Sequence, residues 1–278
     1  MIEILKCIWE FLVDYQTASI ITFFALLFAI FVWHQSIAHR KKDKIIADFR
    51  HNEQKCFNVE LMKKIESISP NDASDNLKEE VKIADEIIKN PTTADDFHLK
   101  GYAAQIDENY DKAIEYYQKA IELKHDYAAA YCNMGNVYAI GKKDYDKANE
   151  CCKKTIKYKP DSVEAYYNMG LNYADKKDYN KAIENFNKAI KYKPDLVEAY
   201  YSMGKCYSDK KDFDKAIEYY QKAIELKHDY AEAYYNMGLV YEKKGDRKHC
   251  IDCIKKAAQH GNENAKKVMV LLNKVESL

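Results

Sequence analysis

Proline and glycine are scarce in this chain, with four and eight among 278 residues. So few breakers exclude an architecture built mainly from short strands and tight turns, and they favour helices. Net charge is absent as well: 44 Lys and Arg face 44 Asp and Glu. The total therefore gives no argument for a nucleic-acid surface, which needs clustered cations to displace counterions. No P-loop, nucleophile elbow, HExxH helix or GxGxxG turn occurs, and each absence removes a class of enzyme. The eight histidines stand in no recognisable spacing with cysteines or carboxylates. The expectation is a protein that is not an enzyme and needs no cofactor.

The eight cysteines (7, 56, 132, 151, 152, 206, 250 and 253) follow no disulfide framework and read as reduced thiols. Cys250 and Cys253, beside His249, share a helix face at i and i+3, a spacing that can hold a metal. No second pair of ligands accompanies them, so no metal is expected.

One stretch breaks the hydrophilic pattern. Residues 18–33 read ASIITFFALLFAIFVW, and no Asp, Glu, Lys or Arg occurs between Asp14 and Arg40. About twenty helical residues span the hydrocarbon layer, so 17–37 is expected to cross a membrane, with Trp33 at one interface. Arg40, Lys41, Lys42 and Lys44 follow it, whereas the amino side carries Lys6 against Glu3, Glu10 and Asp14. Basic flanks stay in the cytoplasm, so the long carboxyl-terminal part is expected there. The acidic start and the lack of an A-x-A site read as an anchor rather than a cleaved signal. Ser67, Pro70 and Ser74 mark a linker, and a short acidic helix follows until Asn90-Pro91 stops it.

The remainder is periodic. Gly101, Gly135, Gly170, Gly204 and Gly238 stand 34, 35, 34 and 34 residues apart. Around the last four the chain reads AYCNMGNVY, AYYNMGLNY, AYYSMGKCY and AYYNMGLVY, each followed by a turn and an AI-rich stretch. DKAIEYYQKAIELKHDYA even occurs twice without change, at 111–128 and 214–231. A fixed period near 34 is a solenoid signature. Each unit reads as a helical hairpin. Tyr166, Met169, Gly170 and Tyr173 share one helix face, and Ala182, Ile183, Phe186, Ala189 and Ile190 share another. Gly170 and Ala182 are small where two axes approach, and Pro160 and Pro194 end second helices. Asp161, Asp195 and Asp229 each precede a Glu by three residues, which predicts capping boxes for the following first helices. The extra residue of the second unit is expected in its turn, around Gly141, Lys142 and Lys143. The tyrosines, 24 in all, fall mostly at periodic positions rather than on a base-stacking surface.

This pattern resembles the tetratricopeptide-repeat family. The family's places are filled by Tyr166, Met169, Gly170, Tyr173, Ala182, Phe186, Ala189 and Pro194. They are filled again by Tyr200, Met203, Gly204, Tyr207, Ala216, Tyr220 and Ala223, with His228 replacing the proline. Repeat five departs from it, with Cys250 at the small Ala and Ile254 at the aromatic. The resemblance implies an all-α fold, a right-handed α-solenoid of about five hairpins plus a C-terminal capping helix, preceded by a single transmembrane helix. The expected segments are 1–16, an amino-terminal stretch; 17–37, the transmembrane helix; and 38–92, a juxtamembrane helical linker. The repeats then occupy 93–264 (94–127, 128–162, 163–196, 197–230 and 231–264), and 265–278 is the cap. Whether 75–89 is a degenerate half-repeat is left open.

The resemblance also implies a concave groove that grips an extended peptide or a partner helix. Carried over place by place, it is lined by Cys132, Asn133 and Asn136; Glu164, Tyr167, Asn168 and Leu171; Glu198, Tyr201, Ser202 and Lys205; and Glu232, Tyr235, Asn236 and Leu239. Asn amides both donate and accept, and Tyr offers amphipathic area at low entropy cost. One subgroup clamps the acidic tails of heat-shock chaperones with two Asn plus Lys and Arg. Asn136 and Asn168 match, but Cys132, Glu198 and Ser202 stand where cations belong, so chaperone-tail binding is not expected. The expected partners are other proteins, a neutral or basic peptide among them, with the membrane through 17–37 and no nucleic acid. An exported envelope assembly factor and a regulatory subunit of a membrane enzyme are the competing readings. A likeness to mitochondrial outer-membrane import receptors is weakened by the missing cations.

Overall fold

The structure, a computed structural model, describes residues 61–62, 64–65, 73–88 and 90–276. The expected transmembrane helix at 17–37 and most of the linker lie outside the described residues. No helix among those described is long and apolar enough to cross a membrane. The chain divides into two units, Met1–Lys64 and Ile65–Leu278, and the helices below belong to the second.

They are α1 (Asp75–Ile87), α2 (Ala94–Ile106), α3 (Tyr110–Leu123), α4 (Ala128–Asn136), α5 (Tyr145–Tyr158), α6 (Val163–Asp175), α7 (Tyr179–Tyr192), α8 (Val197–Asp209), α9 (Phe213–Leu226), α10 (Ala231–Lys243), α11 (Arg247–Gln259) and α12 (Glu263–Glu276). No strand occurs among the described residues. From α2 onward the helices pair as hairpins, α2 with α3 through to α10 with α11, and each second helix then meets the next first helix. This is the solenoid in its physical sense, each unit touching its neighbours along one line. α1 lies on α2 as a preceding second helix would, burying Leu77, Val81 and Ala84. Lys100 Nζ reaches its Asp85 carboxylate at 2.9 Å. At the other end α12 closes on α11 through Ala265.

The helix starts correct one expectation. First helices begin at Val163, Val197 and Ala231, so Asp161, Asp195 and Asp229 lie one residue too early to cap them. Ser162 caps α6 instead, accepting from the Ala165 N–H at 3.3 Å. α8 and α10 have Leu196 and Tyr230 at that place and no side-chain cap. The acidic caps belong to the second helices: Asp144, Asp178, Asp212 and Asp246 accept from the backbone N–H three residues on, as Asn109 does in α3. A carboxylate there satisfies an orphan donor and complements the helix dipole. At the other end proline proves dispensable. α9, followed by His228, closes through the Lys227 N–H on Ala223 O as α7 does through Lys193 on Ala189 O.

Between the two helices of a unit the chain takes one left-handed residue: Glu108, Lys143, Lys177, Lys211 and, in the fifth unit, Gly245, with φ of 56, 53, 61, 62 and 78°. In four of the units the next N–H then bonds the carbonyl five residues back, as Asp178 does with Tyr173 at 2.9 Å and Asp212 with Tyr207 at 2.9 Å, whereas in the second unit Asp144 reaches six back to Tyr138 at 2.9 Å. Only glycine takes this conformation without a Cβ penalty. Lys177→Gly and Lys211→Gly are expected to raise stability by about 0.5–1 kcal/mol each, read as a shift in denaturation midpoint at unchanged slope.

The second unit's extra residue also falls elsewhere than expected. It is taken up inside the first helix, whose end widens into a π turn, Val137–Gly141, with the Lys142 N–H reaching Val137 O at 3.3 Å. A helical turn absorbs an inserted residue by moving to i→i−5 bonding, which spares the tight left-handed turn behind it. That leaves Ile140 55% exposed on the widened turn.

Candidate functional site

Successive first helices touch one another directly, α4 with α6, α6 with α8 and α8 with α10, whereas no contact of that extent joins successive second helices. The more closely spaced layer is the inner one, so the first helices form the concave side. Side chains at i, i+4, i+7 and i+11 share a helix face. On α6 these are Glu164, Asn168, Leu171 and Asp175.

Many of the residues expected in the groove hold each other. The place three before the unit glycine bonds the place two before the next one. His98 Nε2 meets Asn133 Nδ2 at 3.0 Å, Tyr167 Oη meets Ser202 Oγ at 3.4 Å, and Asn236 Nδ2 donates to Tyr201 Oη at 2.6 Å. Cys132 occupies the corresponding place between units two and three, and there Asn168 Nδ2 turns to Asn136 Oδ1 at 2.7 Å. Asn133 and Ser202 are consequently buried. Tyr235 is half-buried against the cluster of Ile254 and Ala257. Glu164, Leu171, Glu198, Lys205 and Glu232 remain exposed, and Asn136, Tyr167, Asn168, Tyr201, Asn236 and Leu239 are half-open.

Two local features stand out. Glu164, Glu198 and Glu232 repeat in the first turns of α6, α8 and α10. Beside the last two lies an aromatic patch, where the Tyr201 ring is 5.1 Å from Tyr230 and 5.8 Å from Tyr220. Burial raises the Tyr201 hydroxyl above its ordinary pKa, and Glu232 adds to this. Burial raises Tyr230 too, with Tyr201 and Glu198 contributing. Both phenols therefore stay neutral next to carboxylates. The second feature is a cleft of about 260 Å³ where the π turn faces α6. Asn136 and Asn168 line it with Ile140 and Leu171, and Lys143, Tyr145 and Asp175 join them. Its residues Ile140, Lys143, Tyr145 and Asp175 escaped the sequence reading. The signal available was the single 35-residue interval, because an inserted residue in a helix often marks a functional place.

His98 was also missed. It is fully buried, with Nδ1 at 3.2 Å from Tyr127 Oη, which donates to Asp95 Oδ1 at 2.9 Å. Tyr127 gives its one proton to the carboxylate, so Nδ1–H must be the donor to Tyr127, and Nε2 accepts from Asn133. Burial lowers the imidazole pKa to about 3, with Lys124 adding to the effect, so the ring is neutral.

Burial holds the described cysteines in the thiol form by the same logic. Burial pushes Cys132 and Cys151 up to about 12 and Cys206 and Cys253 to about 11. Thiolate is the reactive form, and these sites suppress it. Among the described residues no group of three or more His, Cys, Asp or Glu could hold a metal.

Comparison with known proteins agrees with this geometry. A family described as TPR repeat matches residues 107–141, 170–211 and 204–245, and one described as Tetratricopeptide repeat matches 128–162. A third, described as Sel1 repeat, matches 231–262. The chain is a tetratricopeptide-repeat protein. A crystal structure of MamA is 30% identical with a TM-score of 0.55, covering 60% of this chain and 96% of that one. MamA 41-end from Desulfovibrio magneticus RS-1 shares the fold at 22% identity and a TM-score of 0.56, covering 60% of this chain and 94% of its own. YrrB, described as a TPR protein with an unusual peptide-binding site, does so at 22% identity and a TM-score of 0.54, covering 71% and 100%. No curated protein matches.

Proposed function

We propose that the protein is a membrane-anchored scaffold whose concave face binds partner proteins through an extended segment of neutral or basic character. The observation that carries this reading is the set of side chains the fold leaves open along the first helices: Glu164, Glu198 and Glu232, the last two beside Tyr201 and Tyr230. The fold itself suits the task, since stacked repeats create a long continuous surface. Its likeness to YrrB, described as having a peptide-binding site, supports the same use. The apolar stretch 17–37 and the basic residues behind it support an anchor with the repeats in the cytoplasm.

The test follows from the bonds between repeats. Alanine at Tyr167, Asn168 or Tyr201 would loosen the stack as well as the groove, so exposed positions are the better probes. The full-length chain, extracted from membranes in detergent, is used as bait beside a variant carrying Leu171→Asp, Glu198→Lys and Glu232→Lys. Partners that disappear with the variant, at an unchanged melting temperature, are the expected result. Identical partner sets from both baits would sink the groove reading.

A further inference from the structure

We propose that the cleft between the π turn and α6 anchors an aliphatic side chain of an extended peptide whose lysine or arginine residues reach Glu198 and Glu232 four and seven positions later. The inference rests on the reading of the concave face as the binding surface, and it gives that surface a register.

The anchor comes from the insertion in the second unit. Widening the helix end into a π turn leaves Ile140 55% open in the same cleft as Leu171, 36% open, and the Asn136–Asn168 pair. A branched aliphatic group fits apolar walls of this kind, and the open sides of the amide pair offer a donor and an acceptor to the peptide backbone. Asp175, on the rim, is engaged by the Tyr145 hydroxyl.

The register comes from helix geometry. Glu198 on α8 is the counterpart of Glu164 on α6, seven residues before the level of Leu171. Seven residues are about 10 Å along a helix, and packed helices lie about 8–10 Å apart. The diagonal from the cleft to Glu198 is then about 14 Å, four residues of extended chain at about 3.3 Å each. From Glu198 to Glu232 the path runs straight across, about 9 Å, which is three residues of polyproline-II chain on one face. Charge selects the diagonal. Lys205 stands on α8 at the level of Leu171, its Nζ 6.0 Å from the Tyr201 ring, and would repel a cation carried straight across, whereas Glu198 and Glu232 lie on the oblique line; the Tyr230 ring already carries Lys227 at 5.0 Å. A cation there meets the two carboxylates.

The test uses two fluorescent peptides of equal composition, titrated by anisotropy into the full chain in detergent. One carries leucine with lysines at the fourth and seventh places after it, separated by proline and serine; the other has its lysines at the second and third places. The in-register peptide is expected to bind about tenfold tighter, and Leu171→Asp and Glu232→Lys each to weaken it by about tenfold. Equal binding of the two peptides, or binding indifferent to Leu171→Asp, overturns the register and the anchor. If neither peptide binds while the triple variant still loses its captured partners, this inference falls and the scaffold reading stands. If capture is unaffected as well, both fall.

Discussion

Alanine at Gly170 is expected to lower the unfolding free energy by about 2–3 kcal/mol, a large effect for one added methyl group. An ideal Cβ there would lie 2.4 Å from Phe186 Cε1 and 2.5 Å from Cδ1. The ring is fully buried among Ala182, Ile183, Ala199 and Met203, with Tyr167 at 5.6 Å, so it has no free volume to move into. Close-packed interiors answer such an insertion with strain in the backbone or the rotamers. Gly238→Ala is the contrast: its Cβ would meet the flexible tip of Ile254, Cδ1 at 3.0 Å, and the loss should stay under about 1 kcal/mol. Gly101 and Gly204 sit against the Tyr117 and Tyr220 rings, both at 2.6 Å, and should behave like Gly170. Phe186→Leu should partly rescue Gly170→Ala, and a double-mutant cycle by denaturant titration reads the coupling. Gly170 lies in the central unit, so its variant should also broaden the transition as the two ends of the stack lose their connection. Equal losses at Gly170 and Gly238 would show that the ring does not set the cost.

The contrast between these glycines also shows which features one sequence displays. The 34-residue interval and the Tyr–Met–Gly–Tyr faces are one-dimensional signals, and they identified the hairpins because each unit repeats one local solution. What stayed hidden depends on neighbours that periodicity does not name. The aspartates before the first helices matched a capping box in letters, yet the helix starts one residue later, since the left-over turn residue is fixed by how the preceding hairpin closes. Asn133 and Ser202 looked like groove residues because they share a helix face with Asn136 and Lys205. They are buried where His98 and Tyr167 of the preceding first helix bond them. The cleft at Ile140 was announced only by an interval of 35 in place of 34, and whether an insertion lands in a turn or a helix is settled by three-dimensional closure.

Acid should weaken the fold through His98 before most carboxylates titrate. Its folded-state pKa is lowered from 6.5 to about 3 by burial first and Lys124 second. The unfolded chain binds a proton at this ring below pH 6.5 and the folded chain does not, so stability falls as pH drops from 6.5 toward 3 and is fully present above 6.5. The slope is about 1.4 kcal/mol per pH unit, hence about 2 kcal/mol lost between pH 6.5 and 5. The groups facing the ring cannot soften this. Tyr127 and Asn133 already fix both nitrogens, Tyr117 lies with its ring centroid at 5.6 Å, Lys124 is a cation, and the Asp95 carboxylate is reached only through the Tyr127 hydroxyl. An imidazolium would have to break the Asn133 bond, since Nε2 could no longer accept from its amide. Denaturant titrations of the full chain at pH 5, 6 and 7 should therefore show the wild type losing stability by one proton more than His98→Gln, although that variant starts lower at pH 7. Parallel slopes in the two proteins would mean that the ring is protonated in the folded state after all. The two bonds that define its tautomer, and with them the first link between the first and second repeats, would then need another assignment.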